Sequence, residues 1–253
     1  MRLHEHEAAT IFRRAGIQVP PFVVAQTAAE AVAALEQVEL PVAVKAQVLV
    51  GGRGKGGGIA FAGSADEVRE KAGALLGGRV KGLPVESVMI ARKVPVAYEL
   101  YAGVTLDPVT GGIAVFLGLE GGVDVEQVSV EQECFYGRTV APPDEFRGHH
   151  ARALVREAGF HGDLMVRIAE VLTTLFSVFR RTDALIAEIN PLVVAPDEAV
   201  WAVDAALEVD DAALFRHPEF PADSLARIGH PLERAARKIG VSYVDLDGDI
   251  GII

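Results

Sequence analysis

The hydrophobic positions of the N-terminal part of the chain alternate between a helical and a strand period. Residues 5–15 place their apolar side chains on one helical face, and Gly16 follows as a stop signal. The capping boxes Thr27-Ala-Ala-Glu30 and Ser64-Ala-Asp-Glu67 predict two further helices. Short apolar runs predict the strands between these helices, at residues 22–25, 41–46, 59–61 and 88–91. This alternation is typical of a mixed α/β (α+β) architecture.

Longer strand patterns follow in the second part of the chain. Residues 99–107 and 112–118 predict a hairpin, a long helix follows over residues 163–179, and strands return over residues 184–206. We predict one domain over residues 1–225, in which 21–95 form a small lobe and 1–20 with 96–225 form the second. Residues 226–253 would be a linker and the start of a further, truncated domain, because the chain stops in a rising apolar pattern.

The composition excludes several classes of protein. Half of the residues are hydrophobic, and 24 basic against 35 acidic side chains give a net charge of −11, which argues against a protein that coats nucleic acid. Cys134 is the only cysteine, so neither an intramolecular disulfide nor a cysteine-based zinc site can form. No secretory signal and no apolar run of about 18 residues is present. We expect a cytoplasmic protein without a membrane span.

A lysine and a glycine-rich loop stand out against this acidic background. Lys45 lies in an apolar strand, and residues 51–58 contain six glycines with Arg53 and Lys55. Glycine allows a backbone to approach a ligand closely, and the cations would neutralise a polyphosphate. No Gly-Lys-Ser/Thr opens a helix and a strand follows the loop, so it is neither a P-loop nor a Rossmann fingerprint. The alternatives are a solvated lysine on an edge strand and a flexible hairpin tip.

Three oxygen-bearing side chains are predicted to meet on the last sheet. A hairpin turn centred on Asp197 places Asn190 opposite Asp204, and the period of two puts Glu188 on the same face as Asn190. Hard oxygen ligands suit Mg²⁺, which usually takes one or two protein ligands and completes its shell with phosphate and water. The alternative is an ordinary solvated sheet face.

The histidines carry weaker signals. His4 and His6 are expected to be solvated, and His149 and His150 lie in a stretch that reads as a loop.

Together these segments resemble the ATP-grasp portion of succinate–CoA ligase β subunits. The matching stretches occur in family order over nearly the whole chain, at residues 3–8, 44–48, 51–55, 99–103, 120–123, 187–194, 210–211 with 213–216, and 246–251. The resemblance implies an ATP-grasp fold with the nucleotide between two lobes. Residues 90–94 would form the adenine hinge, and Glu99 would hold the ribose. The nucleotide-binding residues that the resemblance implies are Lys45, Gly52, Arg53, Gly54, Lys55, Ile90, Ala91, Arg92, Val94 and Glu99.

The same resemblance implies the chemistry. Asn190 and Asp204 would hold Mg²⁺, and Glu188 would face the phosphohistidine of a partner α subunit. That histidine would exchange phosphate with ATP or ADP, GTP being possible, and so couple the nucleotide to the interconversion of succinyl-CoA and succinate. CoA would be bound by the complete enzyme.

Four departures from the family pattern leave alternatives open. Ala91 replaces a glutamate at the start of the hinge, Ala206 removes a cation after Asp204, Ala212 replaces an asparagine, and residues 132–139 match poorly. A sister ligase for malate, citrate or acetate is one alternative. A non-catalytic ATP-grasp assembly subunit is another.

Overall fold

The fold is known from a computed structural model that describes residues 1–122, 135–141, 144–220, 227–228, 231–241 and 243–244. Contacts divide the chain into two compact units, Arg2–Asp210 and Met1 with Asp211–Ile253. The predicted limit at residue 225 stays a prediction. Cys134 and the matching stretch 246–251 lie outside the described residues. None of the described helices is long and apolar enough to cross a membrane.

A four-stranded antiparallel sheet forms the first part of the Arg2–Asp210 unit. Its spatial order is β1 (Phe22–Ala25), β6 (Val88–Arg92), β2 (Val42–Ala46) and β3 (Ile59–Ala62). The short strands β4 (Arg79–Val80) and β5 (Leu83–Pro84) pair separately. The strands expected from the apolar runs are therefore confirmed, and β2 is buried along its whole length between two neighbours.

Two capped helices cover one face of this sheet. The hydroxyl of Thr27 accepts the N–H of Glu30 at 3.1 Å where α2 (Ala28–Ala33) begins, and Ser64 caps α3 (Ala65–Leu76) through Glu67 at 3.3 Å. A 3₁₀ turn, Ala34–Glu36, extends α2. The predicted caps at Thr27 and Ser64 are confirmed, while the carboxylates of Glu30 and Glu67 accept the N–H of the residue before each cap, Gln26 and Gly63. Apolar side chains of the helices and strands form one buried core between them, which includes Ala31, Val44, Val68, Ala72 and Ile90.

A second, larger sheet has the order β11-β10-β7-β8-β9, with β12 also paired to β10. Its strands are β7 (Tyr98–Leu106), β8 (Ile113–Gly118), β9 (Phe135–Val140), β10 (Ala184–Val194), β11 (Val200–Ala202) and β12 (Ala206–Val209). The β7–β8 hairpin is confirmed. The register about Asp197 is also confirmed, since Leu192 lies opposite Ala202 and Glu188 opposite Ala206. The return strand, however, is broken at residues 203–205, where a continuous strand was expected.

Helices α1 (Glu5–Ala15), α4 (Gly148–Glu157) and α5 (Gly162–Arg181) belong to the same unit. The predicted α1 is confirmed and ends at Gly16, whose φ of 104° is left-handed. The long helix α5 packs against β7, β10 and α1. His149 and His150 lie in the first turn of α4, so their assignment to a loop was wrong.

The second unit contains a 3₁₀ helix, Asp211–Arg216, and α6 (Pro231–Lys238). The carboxylate of Asp211 pairs with the amino group of Met1 at 2.6 Å and with Arg237. The expected role of residues 226–253 as a linker and domain start stays a prediction.

Candidate functional site

Lys45 lies in the middle of the small sheet, not at its edge. Strand β2 has β6 on one side and β3 on the other, and Lys45 is only 3% exposed. Its Nζ donates to Oε1 of Glu5 at 2.6 Å and to the carbonyl oxygen of Val203 at 2.7 Å. The alternative interpretation, that Lys45 is a solvated residue on an edge strand, is therefore wrong. A buried ammonium requires such partners, because desolvation of an unpaired charge is costly.

The glycine loop folds back on itself and holds Arg53 inside. The N–H of Gly58 donates to the carbonyl oxygen of Arg53 at 2.8 Å, and a Cβ at Gly58 would approach that oxygen to 3.1 Å. Nη2 of Arg53 lies 3.0 Å from Oε2 of Glu5 and 2.6 Å from Oδ1 of Asp204. Gly52, Gly54 and Lys55 are exposed along the loop. Arg53 thus connects the loop to the large sheet.

The charge on Arg53 is held by its partners. Burial works against the charged guanidinium, but the carboxylates of Glu5 and Asp204 outweigh burial and raise the pKa of Arg53. These two carboxylates and the two cations Lys45 and Arg53 form one compact group of balanced charge.

The break in the return strand faces this group. The ladder is regular at Leu192–Ala202 and again at Glu188–Ala206, which leaves Asn190 and Asp204 at the interruption between β11 and β12. The pairing of β10 with β7 also shifts register between Ile189 and Leu192. At this break, the carbonyl oxygen of Val203 accepts from Lys45 and the carboxylate of Asp204 accepts from Arg53. The interruption thus directs residues 203 and 204 to the small sheet.

The next part of β10 carries Glu188 and Asn190, and the segment with Gly121 and Gly122 lies against it. Oδ1 of Asn190 accepts the N–H of Gly122 at 2.6 Å, and the side chain of Glu188 is hydrogen-bonded to that of Asn190. Gly121 approaches the backbone of Leu100 so closely that a Cβ would clash with its carbonyl oxygen. The structure therefore brings the three predicted oxygen-bearing side chains to one region of the sheet.

The carboxyl group of the half-buried Glu188 has a raised pKa. Burial raises its pKa, the hydrogen bond to Asn190 opposes this rise, and the charge of Asp204 adds to it. The phenol of Tyr101 lies nearby, and its pKa is raised by burial and by the charge of Glu188.

Glu188→Gln is expected to stabilise the chain at neutral pH but not in acid. Because the folded-state pKa of Glu188 lies above the ordinary glutamate value of 4.5, the folded chain binds the proton more tightly than the unfolded chain. Stability is therefore lost as the pH rises from the ordinary pKa through the raised pKa. Glutamine has no proton to lose. The melting temperature of the variant minus that of the parent should therefore be small below pH 4.5 and positive at about pH 7.5.

The matched control for this prediction has the opposite sign. The N–H of Gly63 and the side chain of Lys71 lower the pKa of Glu67, so Glu67→Gln should reduce the melting temperature at neutral pH. Thermal melts across the pH range compare the two variants. A lower melting temperature for Glu188→Gln at neutral pH would show that burial does not dominate at this carboxyl.

The hinge residues are placed at the end of β6. Ile90 and Ala91 pair with strands on both sides, so their backbone groups are committed to the ladder. The N–H groups of Arg92 and Lys93 donate to the carbonyl oxygens of Pro21 and Pro41, at 3.0 and 2.9 Å. The guanidinium of Arg92 lies 5.0 Å from the ring centre of Trp201.

Val94 and Glu99 lie beyond the ladder of β6. Val94 is buried against Val193 and Ala195. Glu99 is exposed on β7, and its carbonyl oxygen accepts the N–H of Gly121 at 2.8 Å. Ile90, Ala91 and Arg92 thus lie within the paired strand β6, whereas Val94 and Glu99 lie outside its ladder. The predicted binding roles of these five residues stay predictions.

Sequence reasoning missed the role of α1 in this site. Glu5 is 3% exposed and contacts both Lys45 and Arg53. His6, expected in solvent, is hydrogen-bonded to Oε1 of Gln47, through Nδ1 at 2.9 Å and its backbone N–H at 3.1 Å. The expectation was wrong because α1 lies against the end of β2. Leu3-His4-Glu5-His6 belonged to a matching stretch, which was the one available signal.

Comparisons with known proteins identify the family of this chain. A family model described as an ATP-grasp domain matches residues 2–194. The β subunit of the GDP-forming succinate–CoA ligase of Thermus thermophilus is 45% identical over 254 residues, which cover 100% of this chain and 67% of the relative. The chain belongs to the succinate–CoA ligase β-subunit family. The ADP-forming family member of Halorubrum lacusprofundi is 41% identical with the same coverage.

Solved structures confirm the ATP-grasp fold of this family member. An acetyl-coenzyme A synthetase of Ca. Korarchaeum cryptofilum, solved with coenzyme A and Ca-AMPCP, matches with a TM-score of 0.68 and 24% identity over 83% of this chain and 93% of the other. The ATP citrate lyase of Methanothrix soehngenii matches with a TM-score of 0.61 and 16% identity, over 94% of this chain and 59% of the other. At these identities the likeness concerns the fold alone.

Proposed function

We propose that the chain binds a magnesium-complexed ATP or ADP, or the guanine equivalent, between its two sheets. There it would transfer a phosphoryl group to and from a histidine of a partner α subunit, in the interconversion of succinyl-CoA and succinate. The 2.6 Å contact between Arg53 of the glycine loop and Asp204 of the large sheet carries this proposal. The contact supports the proposal because it brings the cation proposed for the phosphates and the carboxylate proposed for the metal to the same point.

The donor set fits Mg²⁺. Asn190 and Asp204 supply hard oxygens at the break in the strand, and Mg²⁺ commonly takes one or two protein ligands. In the parts of the chain that the structure describes, no group of three His, Cys, Asp or Glu side chains is placed to hold a metal. A metal held by two protein ligands and by phosphates is consistent with that. Mg²⁺ would neutralise phosphate charge and orient the reacting groups.

Lys45, Arg53 and Lys55 would bind the phosphates. Phosphoryl transfer needs little covalent help from a protein, but it needs in-line positioning and charge neutralisation in a site that excludes water. The burial of Lys45 and Arg53 strengthens their interaction with a phosphate, because the local dielectric constant is low. Exposed Gly52 and Gly54 would let the loop backbone approach the ligand.

The remaining proposed assignments concern the base, the ribose and the histidine of the α subunit. Backbone groups of the hinge segment that contains Arg92 and Val94, next to Ile90 and Ala91, would bind the base, and Glu99 would bind the ribose. Glu188, whose pKa is raised by burial, would face the histidine of the α subunit. The chain spans 67% of the length of its Thermus relative, and CoA would be bound by the complete enzyme.

Transfer of labelled phosphate tests this proposal. The chain is mixed with the α subunit encoded in the same genome and with γ-³²P-labelled ATP or GTP. We expect an acid-labile, base-stable label on an α-subunit histidine that depends on Mg²⁺ and is released as labelled nucleotide when ADP or GDP is added. A complex that forms and binds nucleotide but never labels the histidine would support a non-catalytic assembly subunit instead.

A further inference from the structure

The carboxylate of Glu5 connects the two phosphate-binding cations. Glu5 lies in the first turn of α1, where the helix dipole favours a negative charge, and it is almost completely buried. Oε1 accepts from Lys45 and Oε2 from Arg53, so each oxygen serves one cation. The proposed assignments of nucleotide, metal and partner do not use Glu5.

The geometry leaves donors for a ligand. A lysine ammonium has three N–H groups, and Lys45 directs two of them to Glu5 and the carbonyl oxygen of Val203. Arg53 meets both Glu5 and Asp204 through the same terminal nitrogen, Nη2. The Nε and Nη1 groups of the guanidinium are not used by these carboxylates. Glu5 can therefore hold both cations while they bind phosphate.

We propose that Glu5 is a positioning residue for the nucleotide phosphates. It would fix the distance between the ammonium of Lys45 and the guanidinium of Arg53, so that both groups are already oriented for the phosphate chain when the nucleotide binds. Glu5 itself touches no phosphate. This inference rests on the proposed nucleotide site and names the element, α1, that organises it.

A purely structural role for Glu5 would have different consequences. Neutralising two buried cations would affect the stability of the fold alone, and nucleotide affinity would follow only the fraction of folded chain. In a positioning role, the substitution would weaken the affinity of the folded protein for nucleotides, because their phosphates contact the two cations. Nucleosides, which carry no phosphate, should not respond to the substitution.

Glu5→Gln tests the inference in the full chain, with Glu7→Gln as its control. Glu7 lies in the same first turn, and its carboxylate accepts the N–H of His4 at 2.7 Å, a bond that glutamine can replace. Calorimetric titration should show that Glu5→Gln weakens Mg-ADP binding about tenfold or more. Adenosine or guanosine binding, and Mg-ADP binding by Glu7→Gln, should stay within about twofold of the parent.

A double mutant identifies the path of the effect. In an Arg53→Met background, Glu5→Gln should cost clearly less affinity than in the parent, because one of the two cations that it positions is gone. Equal losses in both backgrounds would overturn the inference. If Glu5→Gln does not fold, Glu5→Asp retains the charge but shortens its reach, and it should still weaken Mg-ADP binding several-fold at nearly unchanged melting temperature.

The outcomes separate this inference from the proposed function. If the parent chain binds Mg-ADP and a folded Glu5→Gln or Glu5→Asp variant binds it equally well, only the role of Glu5 is wrong. If the parent chain binds no Mg-nucleotide, the proposed site and the role of Glu5 both fall.

Discussion

Replacing Lys45 with methionine is expected to weaken Mg-nucleotide binding by about 100-fold or more, which corresponds to about 3 kcal/mol. Methionine retains most of the length and apolar contact of the stem while it removes the charge. The ammonium lies in a buried position where a charge-assisted hydrogen bond to phosphate is strong. Isothermal titration with ADP and ATP in Mg²⁺ measures the loss.

Two comparisons make that result specific. Lys71→Met removes a partly exposed lysine that pairs with Glu67 on α3, and it should leave nucleotide affinity unchanged. Arg53 remains as a partner for Glu5 in the Lys45 variant, so a cooperative thermal transition should persist. A folded Lys45→Met chain with the affinity of the parent would show that Lys45 does not bind phosphate.

Asp204→Asn is expected to remove the dependence of nucleotide binding on Mg²⁺. In the parent, Mg²⁺ should strengthen ADP binding, because Asp204 and the phosphates share the metal. The amide retains an oxygen but loses the charge that attracts the cation, so affinity in Mg²⁺ should fall roughly 10- to 100-fold. Affinity in EDTA should change much less, since Arg53 loses a competing carboxylate and remains available to phosphate.

The ratio of affinities with and without Mg²⁺ is the informative quantity for this variant. Asp197→Asn is the matched control, because Asp197 lies in the turn of the same hairpin, where its carboxylate accepts the N–H of Ala199 at 3.1 Å. It should retain the parent ratio. A ratio unchanged in Asp204→Asn would remove Asp204 from the metal site.

The features that sequence predicted well are those with local signals. The caps at Thr27 and Ser64 are formed by residues three positions apart, and each helix begins where its cap predicts. The register about Asp197 follows from the one-to-one pairing of antiparallel strands. The same register placed Asn190 opposite Asp204 without any knowledge of the fold.

The missed elements have weak local signals for physical reasons. Strand β9 lies at the edge of its sheet and has one buried residue, Val140, so its sequence lacks a regular apolar alternation. Helix α4 begins after Arg147 without Ser, Thr, Asp or Asn, and Nδ1 of His150 accepts the N–H of Arg147 at 3.2 Å instead.

The candidate site was predicted only in part, because its electrostatics depend on residues far apart in the chain. Glu5 and Lys45 are separated by 40 positions, and Arg53 and Asp204 by 151. No periodicity in either segment indicates the other. The break at residues 203–205, which directs Val203 and Asp204 to the small sheet, likewise interrupts a strand pattern that the sequence continues.

Calorimetric titration of the 253-residue chain with ADP, once in Mg²⁺ and once in EDTA, tests the proposed site most directly. We expect a single site with a Kd between about 1 µM and 1 mM in Mg²⁺, the usual range for an enzyme substrate. In EDTA the affinity should be at least about tenfold weaker. Absence of binding in Mg²⁺, or equal affinity in the two buffers, would contradict a magnesium-nucleotide site built from Lys45, Arg53, Asn190 and Asp204.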